Sequence, residues 1–140
     1  MTIHFQPAAT VRLLTLDSLI PHEHYDRQHA LTLAEKIQFE GIWNQPLLVD
    51  KSSHIILDGH HRLVAAQLLC LYVIPCFCLD YDDNKIIVDS WRDDFYVDRK
   101  VVRQAAKGDL LPIKTSRHHY AAIFPKQVFS LEQLKAGMAA

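Results

Sequence analysis

Residues 55–69, IILDGHHRLVAAQLL, constrain this chain more than any other stretch. A run of branched apolar residues leads into Asp58 and Gly59, and a helical pattern follows at once, so the segment reads as strand, tight turn and helix. Polar groups gathered at such a turn meet a ligand. The first N–H groups of a helix have no intrahelical partners, and together with the helix dipole they favour an anion. Gly59 permits close backbone approach, while His60, His61 and Arg62 add donors, Arg62 as a planar fork suited to phosphate. Asp58 has a second reading as the N-cap of the helix.

Around this turn the chain reads as a mixed α/β domain of about four helices on a small sheet. VRLLTLDSLI is a first short apolar segment. PHEHYDRQ forms a loop ending in a helix whose apolar positions run from Leu31 through Ala34 and Ile37 to a stop at Gly41. PLLVD and SHIILD form two strands joined across KSS. Pro75, inside YVIPCFCLDY, predicts an edge strand or a bulge. NKIIVDSW is a further strand, a helix covers about 98–107 and stops at Gly108, and Pro112 opens a polar loop, IKTSRHH. Ser130 and Gln133 are spaced as a capping box for a terminal helix.

Composition excludes several classes. The 140 residues suit one domain, read here as 1–140. With 15 Lys plus Arg against 16 Asp plus Glu, the chain has no broad basic field, which argues against nucleic acid as a partner. Three cysteines, Cys70, Cys76 and Cys78, are an odd number in apolar surroundings, so no disulfide framework is expected. No run approaches the ~18 apolar residues of a membrane span, and MTIHFQPAAT lacks a signal-peptide pattern, so the expected location is the cytoplasm.

With these residues in view, ILDGHHR after PLLVD, with PHEHYD upstream, resembles the ParB/sulfiredoxin superfamily, and within it the free serine kinase branch. VDSWR (88–92) and LPIKTSRHH (111–119) carry the same likeness, and together the motifs cover most of residues 15–120 in the same order. The resemblance implies an α/β (α+β) ParB/sulfiredoxin-like fold. It also implies transfer of the terminal phosphoryl group of ATP or ADP to the hydroxyl of free L-serine or a related compound. In that branch Glu23 would match the carboxylate that accepts the hydroxyl proton. The nucleotide would lie between Gly59, His60, His61 and Arg62 on one side and Lys114, Thr115, Ser116, Arg117 and His118 on the other. Trp91 and Arg92 would match the substrate pocket; a pocket for a zwitterion needs an anion site and an ammonium partner, which Arg92 and either Asp93 or Asp94 could supply. Magnesium is expected with the nucleotide, and Asp58 is its candidate ligand, which places Asp58 beside Glu23 among the catalytic residues. Residues 93–114 form a shorter spacer than that branch carries, which leaves room for a homodimer partner to complete the pocket.

Other readings compete. Nine histidines invite zinc, but their spacing matches no zinc pattern and no Cys-x-x-Cys accompanies them. Sulfiredoxin chemistry needs a reactive cysteine that DGHHR lacks. A non-catalytic nucleotide-binding regulatory module of the ParB-like class is the alternative function, although the chain leaves no room for that branch's helix-turn-helix segment.

Overall fold

Strand β5 (Val73–Leu79) alternates between two hydrophobic clusters. Ile74 and Cys76 join a cluster with Trp43, Leu47 and Ile56, whereas Phe77 and Leu79 join one with Leu57, Tyr81 and Val102. A strand's two-residue period sends successive side chains to opposite faces, so the central sheet is covered on both sides. The computed structural model describes residues 10–120, 124 and 126–137.

The sheet has the order β1-β5-β3-β4, with β1 Thr10–Thr15, β3 Leu47–Asp50 and β4 Ile56–Asp58. β3 runs parallel to β5, and the other pairings are antiparallel. On one face pack α1 (Arg27–Glu40), α2 (His60–Leu68) and α4 (Leu131–Ala136), through Ala34, Ile37, Leu63, Ala66 and Leu134. On the other lie α3 (Arg99–Ala105) and an antiparallel pair, β6 (Ile86–Ser90) with β7 (Ser116–Tyr120). The mixed α/β class and its four helices are as expected.

Local chemistry sets the helix ends. Asp26 accepts the N–H groups of Gln28 and His29 at the start of α1, and Gly41, at φ 72°, ends it in the left-handed conformation. Ser130 and Gln133 form the expected capping box.

Two expectations change, and one pairing is new. Pro75 lies in a strand inside the sheet, facing Leu13 of β1. The β3 register begins one residue later, at Leu47 opposite Cys76, so at the proline β5 has one registered neighbour and the missing N–H is tolerated. Half of the supposed polar loop IKTSRHH is strand β7, because Val88 and Asp89 of β6 supply paired partners for His118 and Arg117. A short pair, β2 (Ile42–Trp43) with β8 (Phe129–Ser130), was not legible from two-residue segments. Cys76 is buried and Cys78 partly so, on the same face of β5.

Candidate active site

Helix α2 starts without a side-chain cap, whereas α1, α3 and α4 each have one among the described residues. Its N-cap is Gly59, and Asp58 is exposed instead of capping, so the free N–H groups face a cleft of about 480 Å³. Gly59 is required twice over. Its φ is 115°, and a Cβ would stand 2.7 Å from Leu47 Cγ. The close approach is therefore to the core side chain beneath the turn.

Across the cleft, Glu23 is buried and its carboxylate gathers the start of β7. Oε1 accepts the Thr115 N–H at 2.7 Å, and Oε2 accepts the Ser116 N–H at 3.2 Å and the Ser116 hydroxyl at 2.7 Å. Strand-like bonds between His24 N–H and the Leu111 carbonyl, and between Leu111 N–H and the His22 carbonyl, hold Glu23 there. Lys114, between these contacts, takes a left-handed backbone at φ 56°, a conformation that costs a non-glycine residue free energy and recurs at binding sites.

Behind the carboxylate runs a row of rings. His22 Nε2 lies 2.7 Å from Ser116 Oγ, and its ring meets His60 edge-on at 4.5 Å and His118 at 5.8 Å. The backbone N–H of His22 donates to His60 Nε2, and His118 Nε2 meets the Tyr81 hydroxyl at 2.8 Å. Burial pushes all three imidazoles below their ordinary range, His118 to about 3, and for His60 the neighbouring His22 adds to it. Glu23 partly opposes the shift at His22. Burial thus favours the neutral form of each ring.

His22, Glu23 and His60 also bring possible metal-ligand atoms within 4.8 Å of one another. Within this group His60 Nε2 accepts a backbone N–H, His22 Nε2 meets the Ser116 hydroxyl, and Glu23 accepts three donors. The arrangement is a hydrogen-bonded network.

Of the residues singled out in the sequence, Glu23, Asp58, Gly59, His60, His61, Arg62, Trp91, Lys114 and Ser116 line the cleft. Thr115, Arg117, His118 and Arg92 do not. Thr115 is fully buried and its hydroxyl donates to the Pro112 carbonyl, so it anchors the segment. Arg117 is committed to Asp89 by two bonds of 2.7 Å and stacks 4.6 Å from the Trp91 ring centre. His118 points into the ring row. Arg92 is paired bidentately with Asp94, which satisfies both charges away from the cleft. Trp91 is 54% exposed, with the Lys114 ammonium 5.5 Å from its ring centre.

Sequence reasoning missed His29, which stacks on His61 at 4.2 Å and lines the cleft. The signal was present in DRQH: Asp26 as an N-cap starts α1 four residues before Leu31 and puts His29 in its first turn.

Sheet order, uncapped helix start and cleft together define a ParB-like domain. The ParB N-terminal domain profile matches residues 2–91, and the chain belongs to that family. Among its relatives is an ATP-dependent L-serine kinase of Staphylothermus marinus, 30% identical over 92 residues, which are 63% of this chain and 35% of the relative. The ADP-dependent L-serine kinase SerK of Thermococcus kodakarensis is 29% identical over 104 residues, 71% of this chain and 43% of that one. The matched region thus spans well under half of these curated relatives. A solved free serine kinase in complex with AMP superposes with a TM-score of 0.77 at 16% identity, covering 96% of this chain and 97% of that chain. A mutant free serine kinase in complex with ADP gives 0.79 at 15% identity, with the same coverage. These likenesses establish the fold. Among the described residues, no helix is long and apolar enough to cross a membrane.

Proposed function

We propose that this chain transfers the terminal phosphoryl group of ATP or ADP to the hydroxyl of free L-serine. The observation that carries this reading is the cleft in which the uncapped start of α2 faces the buried carboxylate of Glu23 across Lys114 and Ser116. The relatives named for L-serine kinase activity with ATP and with ADP support it.

In this reading the phosphates rest on the free N–H groups after Gly59, with Arg62 and Lys114 supplying charge from two sides of the cleft. Phosphoryl transfer asks mainly for positioning and charge neutralisation, and fixed donors supply both without reorganising. A carboxylate has about four acceptor positions. Three are filled by Thr115 and Ser116, which leaves one on Oε1 of Glu23 for an incoming hydroxyl. As the serine oxygen attacks the terminal phosphorus, its proton passes to Glu23 and the bridging P–O bond breaks. Magnesium fits at Asp58, whose exposed carboxylate opens onto the same cleft and offers the hard oxygen that ion takes; when bound it would shield phosphate charge. With Arg92 and Asp94 neutralising each other, the carboxylate of serine would share the Lys114 ammonium with the phosphates.

The test compares kcat/KM for serine, ethanolamine, glycerate and homoserine. Serine should exceed ethanolamine by roughly 5-fold or more, the effect of one lost charge-assisted bond. Equal efficiencies would replace serine with a broader class of small alcohols. Nucleotide binding without transfer to any acceptor would make the chain a regulatory module.

A further inference from the structure

Ser116 holds the one hydroxyl already bonded to the carboxylate that the proposed reaction uses as its base. We infer that Ser116 is an internal acceptor: with nucleotide bound and free serine absent, the chain phosphorylates its own Ser116 side chain. The inference rests on the phosphoryl-transfer reading above.

Four observations carry it. Ser116 lines the same cleft as Gly59, His60, Arg62 and Lys114, and it is partly exposed there. Its Oγ lies 2.7 Å from Glu23 Oε2 and 2.7 Å from His22 Nε2. An ionised carboxylate can only accept, so the serine proton points at Glu23, and His22 Nε2 must carry the hydrogen that it shares with Oγ. One lone pair on Oγ stays free. Finally, the nucleophile is chemically the group the proposed substrate offers, a primary CH₂OH, held without loss of translational freedom.

The step balances as follows. Oγ of Ser116 attacks the terminal phosphorus and forms an O–P bond. The bridging P–O bond breaks, its electron pair leaves with the shortened nucleotide, and the serine proton moves to Glu23. Neighbouring Thr115 is excluded as acceptor, being fully buried with its hydroxyl donated to the Pro112 carbonyl.

Intact-mass measurement of the full chain after incubation with magnesium and ATP, or magnesium and ADP, tests this. The expected result is a gain of one phosphoryl mass, mapped to Ser116 by peptide fragmentation, and slowed by added L-serine because both hydroxyls need Glu23. Ser116→Ala should lose the label and Ser116→Thr should keep it on the new hydroxyl. If either variant fails to fold, peptide mapping of the unaltered chain still decides. Nucleotide titration runs in parallel. Bound nucleotide with no label, or a label at another residue, overturns the internal acceptor and leaves the proposed function standing. Failure to bind either nucleotide removes both.

Discussion

Glu23 Oε1 accepts the backbone N–H of Thr115 at 2.7 Å, joining positions 92 apart in sequence. This bond, with the two that Ser116 gives Oε2, makes one carboxylate both the clamp on Lys114 and the proposed base.

Glu23→Gln should therefore fail in two ways. The amide keeps one acceptor oxygen but turns an N–H₂ toward donors, an unsatisfied arrangement costing about 1–3 kcal/mol of stability by urea unfolding. Turnover, assayed where the variant is folded, should fall by on the order of 100-fold or more. Wild-type turnover would remove Glu23 as the base.

Two arginines that look alike in sequence should behave differently. Arg62 lines the cleft, and Arg62→Ala should weaken nucleotide binding by about 10- to 100-fold, the loss of a charge-assisted donor set. Arg117 is occupied by Asp89 and reaches the site through Trp91, so Arg117→Ala should change affinity by less than about threefold. Calorimetric titration compares them, and equal losses would contradict the separation.

Gly59→Ala should destabilise the fold by about 2 kcal/mol or more, since a methyl group meets Leu47 and the φ of 115° strains any side chain. Chemical denaturation of the variant measures it. A stability equal to wild type would mean that the turn relaxes freely.

Acid should unfold the protein through its histidines. In the folded chain His22, His60 and His118 are held neutral by burial, with His118 at about 3 against an ordinary 6.5. Below about pH 6.5 the unfolded chain binds protons that the folded one refuses, so stability is full above that pH and falls as pH drops toward 3. Each such histidine contributes up to about 1.4 kcal/mol per pH unit. His118→Gln keeps a partner for the Tyr81 hydroxyl but cannot titrate, and it should lower the slope by about one proton. An unchanged slope would exclude His118 as a contributor.

The strand-turn-helix at 55–69, the β3–β4 pair, the end of α1 and the start of α4 were legible because each rests on local rules: two-residue alternation, capping and a glycine stop. The cleft was half legible. Glu23 and the α2 start are local in sequence, but the pairing of β6 with β7 is not, and it decides which way residues 114–118 face. Alternation along β7 turns Ser116 toward Glu23 and commits Arg117 to Asp89, a separation invisible in a string of polar letters. Pro75 was misread because its tolerance depends on where the neighbouring strand begins.

The most direct measurement incubates the purified chain with magnesium, L-serine and either ATP or ADP, and follows small-molecule products by mass spectrometry. The cleft between Glu23 and the start of α2 predicts O-phosphoserine, formed in step with the shortened nucleotide and lost in Glu23→Gln. Nucleotide binding with no O-phosphoserine from either donor would contradict the account.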